Sequence, residues 1–140
     1  MTFNKTLLLV LALGFVLLAN PAFAQTSLVV KMSVPYSFHA GILQFSPGTY
    51  VISCDTGSNI VWFYNTGNRE TRAVMALVPI TDRRTAKSQA TFHVYGDKYY
   101  LASIWNGLRH SGREMAPSKA EKESAKAAPY TVARLELERM

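Results

Sequence analysis

The stretch that decides the fold is A-T-F-H-V-Y-G-D-K-Y-Y-L-A-S-I-W, residues 90–105. Two runs rich in β-branched and aromatic residues flank Gly96-Asp97, a two-residue connection that favours a hairpin with a primed turn. Such a turn requires positive φ at its first central residue, which glycine adopts freely. The spacing predicts three facing pairs across the hairpin: Phe92 with Leu101, Val94 with Tyr99, and His93 with Tyr100.

On both sides of this hairpin, apolar and polar residues alternate as they do in half-buried strands. The alternation predicts further strands at residues 28–38, 49–54, 59–65, 71–78 and 130–137. Pro35 lies within the first of them and cannot donate to a ladder, so we expect that strand to lie at an edge or to bend there. In the last strand, a slip of parity near Arg134 predicts a β-bulge.

Three segments interrupt the alternation. Residues 81–89 are polar without an apolar period, and residues 108–115 are basic and contain glycine, so both are predicted to be loops. Ser118-Lys119-Ala120-Glu121 is a capping box, which predicts a helix from Ser118 to about Ala127 with a weak, alanine-lined apolar face. About seven strands and one short C-terminal helix indicate an all-β fold, either an antiparallel sandwich or a partly open barrel.

The N-terminal residues have the pattern of a secretory signal peptide. Lys5 precedes an apolar run at residues 7–18, and the small-residue triplet Ala22-Phe23-Ala24 follows it. The run would form a helix only about 18 Å long, too short for a hydrocarbon core of about 30 Å. We therefore expect cleavage between Ala24 and Gln25 rather than a membrane anchor.

Cleavage would leave residues 25–140 as a single β-rich domain, without a transmembrane anchor and exported to the periplasm or the medium. The whole chain carries 15 Lys and Arg against 9 Asp and Glu, a net charge of +6. The basic residues are dispersed rather than gathered on one face with stacking aromatics, so we expect no nucleic acid partner. Contact with anionic envelope polymers or lipids is the less favoured alternative to a solvated basic surface.

Several short motifs resemble those of a group of small, uncharacterised exported bacterial proteins that are rich in β-structure. V-P-Y-S-F at residues 34–38 and F-S-P-G-T-Y-V at residues 45–51 are similar to the group's V-P-F-x-F…L-P-A-G-T-Y-x-V opening. F-H-V-Y-G-D-K-Y-Y-L at residues 92–101 resembles its F-x-x-Y-G-D-x-Y-F-L hairpin. G-R-E at residues 112–114 and S-K-A-E at residues 118–121 resemble its G-R-E-L…S-K-A-E signature. The resemblance implies an exported β-rich protein and implies no catalytic or binding residue.

Residues of reactive types occur singly or at turn positions. His39, His93 and His110 have no metal-motif spacing, and no G-x-S-x-G nucleophile turn is present. Cys54, the only cysteine, lies in an apolar run at the buried parity of its strand, which predicts a structural rather than a nucleophilic thiol. The sequence therefore predicts no catalytic residue, metal site or cofactor. A hydrolase would require one histidine to reach an acid and a nucleophile in a pocket.

Aromatic side chains are the remaining candidates for function. His93, Tyr95, Tyr100 and Trp105 form a candidate ligand or partner face if they share the outer side of the hairpin, where rings can stack on sugars or cover a partner. We favour the alternative, in which a second sheet or the C-terminal helix covers that side.

Together these observations favour an exported, non-enzymatic β-domain that binds an unidentified protein or envelope polymer in the cell envelope. A structural envelope protein without a discrete ligand is the closest alternative, and a hydrolase is a more distant one. An exposed aromatic patch would support binding, whereas fully covered aromatic residues would favour a structural role.

Overall fold

The computed structural model describes residues 26–55, 57–77, 79–80 and 86–140. The predicted signal peptide, with its cleavage site between Ala24 and Gln25, lies outside these residues, as does most of the predicted loop at 81–89. Strands predominate in the described part, and one short helix lies near the C-terminus.

Twelve strands and one helix make up the described part of the chain. The strands of the first half are β1 (Thr26–Val34), β2 (Phe38–Ala40), β3 (Leu43–Phe45), β4 (Gly48–Asp55), β5 (Ile60–Asn65) and β6 (Thr71–Met75). The elements of the second half are β7 (Pro79–Ile80), β8 (Gln89–Tyr95), β9 (Lys98–Asn106), β10 (Ser111–Glu114), α1 (Lys119–Ala127), β11 (Thr131–Glu136) and β12 (Glu138–Arg139).

These strands form two sheets that enclose one core. The five-stranded sheet has the order β12-β1-β4-β5-β6, and the seven-stranded sheet has the order β11-β8-β9-β10-β7, with β2 and β3 paired beside β9. The described pairings are antiparallel except for the short contact of β2 with β9, where His39 faces Tyr100. The predicted all-β sandwich with a C-terminal helix is therefore confirmed.

The predicted hairpin is confirmed, with Phe92 paired to Leu101, His93 to Tyr100 and Val94 to Tyr99. Gly96 has a φ of 64°, the positive value that the primed turn requires. Beyond these pairs, Leu101 and Ser103 face consecutive residues of β8, so Ala102 is an extra residue in β9. This bulge reverses the side-chain parity of the rest of β9.

The first predicted strand is divided by a bend at Pro35. β1 ends at Val34 and lies between β12 and β4, whereas β2 begins at Phe38 and belongs to the other sheet. Of the two predicted outcomes, the strand therefore bends and does not lie at an edge. The alternation of apolar residues continues through the bend because both strands face the same interior.

The last predicted strand, residues 130–137, corresponds to β11, and beyond the buried residue Leu137 the chain continues as β12 in the other sheet. The predicted bulge near Arg134 is wrong, because β11 pairs with β8 from Thr131 to Glu136 without a shift of register. The slip of parity has another cause. Val132 is 44% exposed and points away from the core, so an apolar residue occupies an outward position.

The predicted basic loop at 108–115 is wrong in its second half. Residues 111–114 form β10, which pairs with β9 and β7. Gly112 makes this close pairing possible, because a Cβ atom there would lie 2.8 Å from the ring of Trp105. Arg113 is buried, and its guanidinium donates to carbonyl groups of the turn between β4 and β5.

The core fills the space between the two sheets with apolar side chains from both of them. Its largest fully buried members are Leu28, Met32, Phe38, Ile52, Phe63, Phe92 and Ile104. Cys54 is buried among them as predicted, and its thiol donates to the carbonyl oxygen of Ser58 at 3.2 Å. This thiol therefore contributes to packing and to a turn.

Candidate functional site

The four residues of the predicted ligand face lie together on the outer side of the seven-stranded sheet. His93 and Tyr95 belong to β8, and Tyr100 and Trp105 belong to β9. Tyr100 and Trp105 have opposite sequence parity and would point to opposite faces in a regular strand. The bulge at Ala102 reverses the parity between them and brings both to the outer face.

This face is covered rather than exposed. Tyr95, Tyr100 and Trp105 are buried, and the His93 side chain is 28% exposed. Helix α1 lies over it, with the Tyr100 hydroxyl 3.2 Å from Ser124 Oγ. The four residues are therefore not an exposed aromatic platform. The alternative in which the C-terminal helix provides the cover describes the structure at His93, Tyr95 and Tyr100, because the chain between β10 and β11 crosses this side of the sheet.

Glu121 attaches helix α1 to the sheet. Its Oε1 lies 3.0 Å from His93 Nδ1 and accepts a hydrogen bond from the Tyr95 hydroxyl at 3.4 Å. Of the two hydrogen bonds of the predicted capping box, only the one accepted by the Ser118 side chain is formed. Ser118 Oγ accepts from the Glu121 N–H at 3.1 Å, while the Glu121 carboxylate is directed to the sheet. Burial raises the pKa of Tyr95, and the neighbouring Glu121 carboxylate raises it further, so the tyrosine is held as a neutral donor.

The three histidines occupy separate environments. His39 stacks on a tyrosine of β9, and its pKa is lowered by burial and then by the charge of Lys98. His110 is exposed, with its ring 6.4 Å from that of Trp105. His93 is the one that pairs with an acid. Within the residues that the structure describes, no group of three or more His, Cys, Asp and Glu side chains could hold a metal ion.

His93 and Glu121 border a cavity of about 350 Å³ between α1 and the sheet. A carboxylate at Nδ1 favours the tautomer in which Nε2 is the acceptor. Thr91 and Ser103 contribute hydroxyl groups to the same cavity. Imidazole, acid and hydroxyl groups are the types that the hydrolase alternative requires, and that alternative stays a hypothesis. Sequence reasoning did not bring these residues together because their proximity depends on where α1 docks.

The opposite side of the sandwich presents aromatic residues to solvent. Ile60, Trp62 and Tyr64 project outward from β5 with 37%, 42% and 38% of their surface exposed. Met75 of β6 faces Ile60 and is 67% exposed. We call these four residues, together with the neighbouring Val51 and Ala73 on the same side, the bare face. The described part of the chain provides no cover for it.

Small residues flank Trp62 within the sheet. Its cross-strand neighbours are Ser53 on β4 and Ala73 on β6. Because these side chains are short, the indole ring extends beyond them toward solvent. The cross-strand neighbours of Tyr64 are Val51 on β4 and Thr71 on β6.

A cleft of about 510 Å³ adjoins the bare face along β6. Ala73 and Met75 belong to both surfaces. The turn between β2 and β3 and the segment before α1 complete a mainly aliphatic lining, which includes Ile42, Leu43, Ala116 and Pro117. Ile42 is 93% exposed. A flat apolar face and an apolar cleft thus form one continuous surface.

One sequence signal indicated the bare face, but only in part. Residues 59–65 are apolar at both parities, a pattern typical of a central strand, and β5 does lie between β4 and β6. The second apolar parity also implies a second apolar environment. That environment is not supplied by the described residues.

Comparison with family models, with curated proteins and with solved structures found no match for this chain. Among the described residues, no helix has both the length and the apolar character that a membrane crossing requires.

Proposed function

We propose that this chain is an exported, non-enzymatic β-domain that binds a protein partner in the cell envelope through the bare face and the adjoining cleft. The observation that carries the proposal is the contiguous exposure of Ile60, Trp62, Tyr64 and Met75 on one sheet. Large contiguous apolar patches on soluble proteins commonly mark interaction sites. Trp and Tyr are also enriched among the residues that dominate the energy of protein interfaces.

The lining of the cleft favours a protein over an envelope polysaccharide. Ile42, Leu43, Met75 and Pro117 provide aliphatic surface with few hydrogen-bonding groups. A sugar hydroxyl placed there would lose water without gaining a partner, at a cost of about 1–3 kcal/mol. An apolar side chain has no such cost. We therefore propose that the partner inserts an aliphatic or aromatic side chain into the cleft while its surface covers Trp62.

Export to the periplasm or the medium is part of the proposal. The signal-peptide pattern and the resemblance of several motifs to exported proteins support it. N-terminal sequencing of the exported protein tests this part. A first residue of Gln25 is expected, whereas retention of residues 1–24 in a membrane fraction would contradict it.

Site-specific photo-crosslinking in intact cells tests partner binding. A photoreactive phenylalanine analogue replaces Trp62 or, as a matched control, Val132, which is 44% exposed on an edge strand of the other sheet. A discrete cross-linked protein is expected from position 62 and not from position 132. Adding Met75→Ser to the position-62 variant should weaken the adduct, because it removes apolar surface shared by the face and the cleft.

The structural alternative, an envelope protein without a discrete ligand, predicts a different pattern. Adducts would then be absent at position 62 or equally numerous at positions 62 and 132, and Met75→Ser would not change them. Either result would reject the proposed binding role. The hydrolase alternative places chemistry at His93, on the other side of the sandwich, so an activity unaffected by Met75→Ser and lost in His93→Gln would favour it.

A further inference from the structure

The described residues that line the cavity between α1 and the seven-stranded sheet include two acidic side chains, although the whole chain is basic. Its lining includes Glu114, which is exposed, and Glu121, whose side chain is only 9% exposed. The described residues that line it include no Lys or Arg, while the chain has a net charge of +6. A positively charged ligand would therefore meet complementary charge from two carboxylates here.

Glu121 retains hydrogen-bonding capacity toward the cavity. Its contacts with His93 and Tyr95 both involve Oε1. A carboxylate has two oxygens with about four lone-pair positions, so Oε2 can accept from a donor in the cavity. Because the group is shielded from water, a hydrogen bond from a cationic donor would be stronger there than at an exposed carboxylate.

The remaining lining combines hydroxyl groups with apolar surface. Thr91 and Ser103 on the sheet provide hydroxyls. Ile80, Met115 and Pro117 provide surface for an alkyl chain. The volume, about 350 Å³, is at the lower end of the range for small-molecule sites, which is roughly 300–1,000 Å³.

We propose that this cavity binds a primary alkylammonium ion. The carboxylates of Glu114 and Glu121 and the hydroxyl of Thr91 are three groups that can accept from the three N–H donors of the ion. The alkyl chain then packs against the apolar part of the lining. Pro117 lines both this cavity and the cleft beside the bare face, but Glu114 and Glu121 do not line the cleft. The charge recognition proposed here therefore does not depend on the proposed partner binding.

Titration of the isotope-labelled protein with butan-1-amine, followed by NMR, tests the proposal at about pH 8, where the amine is protonated. Saturable shifts are expected in the backbone amide signals of Thr91, Ser103 and Glu114. Butan-1-ol has a similar size and no charge, and it should bind at least about tenfold more weakly. Equal binding of the alcohol, or shifts confined to residues away from the cavity, would overturn the proposal.

Three charge-removing variants locate the binding groups. Glu114→Gln and Glu121→Gln should each weaken amine binding about tenfold or more. Glu123→Gln is the matched control, because Glu123 lies on the same helix, is exposed and pairs with Lys126. It should leave binding unchanged. If Glu121→Gln releases the helix, the loss of binding in that variant could be indirect. Glu114→Gln then tests the proposal, because Glu114 belongs to β10 and does not attach the helix. Unchanged binding in Glu114→Gln, or an equal loss in Glu123→Gln, would overturn the proposal.

Two further ligands distinguish the source of the ammonium group. A blocked lysine, Nα-acetyl-lysine N-methylamide, represents a protein side chain, and 1,4-diaminobutane represents a free aliphatic amine. The tighter binder of the two indicates the source. Trp62→Ser should leave amine binding intact. A failure of the amine proposal can therefore be told apart from a failure of partner binding at the bare face.

Discussion

The two outer faces of the sandwich both carry aromatic residues, but only one of them is covered. Helix α1 lies over Tyr95 and Tyr100 on the seven-stranded sheet, whereas Trp62 and Tyr64 on the five-stranded sheet are exposed. Connectivity explains the difference. The helix joins β10 to β11, which both belong to the seven-stranded sheet, so the chain must cross that face. Short turns join β4, β5 and β6, and among the described residues no segment covers the other face.

The two faces also differ in polarity. The covered face contains polar groups, and α1 meets them with Glu121 and Ser124. The bare face is apolar. A helix with an alanine-lined surface, such as α1, would bury little of it because alanine side chains are short. Outer aromatic residues therefore indicate a binding surface only where connectivity leaves them uncovered, which is why we propose partner binding at Trp62 and its neighbours.

The two tryptophans provide the largest expected contrast between the faces. Trp105 is fully buried, so Trp105→Ala should lower the free energy of unfolding by about 3–5 kcal/mol through lost burial and a cavity. Trp62→Ala removes a ring that is 42% exposed and should cost less than about 1 kcal/mol. Urea denaturation of both variants measures the difference. Similar losses would mean that the two faces are not covered differently.

Loss of the carboxylate that holds α1 should have the next largest effect. Glu121→Gln replaces charge-assisted hydrogen bonds to His93 and Tyr95 with neutral ones, and we expect a loss of about 1–2 kcal/mol. Glu123→Gln, which affects only an exposed pair with Lys126, should cost less than about 0.5 kcal/mol. Hydrogen exchange of the α1 amides should accelerate in the first variant alone. Equal effects would contradict polar docking of the helix.

The hairpin turn supports the covered face, and its disruption should have a somewhat smaller effect. Gly96 has a φ of 64°, which a β-branched residue rarely adopts. Gly96→Val should therefore destabilise the protein by about 1 kcal/mol or more, whereas Gly96→Asn should be better tolerated. Thermal unfolding of the two variants compares them. Identical melting temperatures would show that the turn conformation is not required for the register of β8 and β9.

Alkaline pH should loosen the covered face slightly. The pKa of Tyr95 is raised above its ordinary value of 10.0, mainly by burial and also by Glu121. The stabilisation is present below about pH 10 and is lost as the pH rises, because the unfolded chain releases this proton before the folded protein does. Tyr95→Phe should therefore lose less stability than the unmodified protein between about pH 9 and about pH 11. Parallel pH profiles would contradict this assignment.

Local signals were sufficient to predict much of the fold. The hairpin register, the positive φ of Gly96 and the capping residue Ser118 each depend on a few neighbouring residues, and each is confirmed. The division of strands between sheets could not be predicted. At Pro35 and Leu137 the chain passes from one sheet to the other while its apolar parity still faces the common core, so alternation alone does not reveal the crossing.

The functional surfaces were less predictable, for a related reason. Alternation predicts which residues share a face, but cover depends on contacts between distant segments. The bulge at Ala102 brought Trp105 to the same face as Tyr100, and α1 then covered much of that face. The bare face could not be predicted as a separate surface, because apolar residues at both parities of a strand are also typical of a buried central strand. In β5 the second parity includes Trp62 and Tyr64, which are exposed.

Acrylamide quenching of single-tryptophan variants tests the contrast between the faces most directly. The chain has two tryptophans, so Trp105→Phe leaves Trp62 as the reporter, and Trp62→Phe leaves Trp105. We expect strong quenching of Trp62, which is 42% exposed, and weak quenching of Trp105, which is fully buried. Denaturant should make the two equal. Equal quenching in the folded state, or stronger quenching of Trp105, would contradict the exposure of the five-stranded sheet on which the proposed binding role rests.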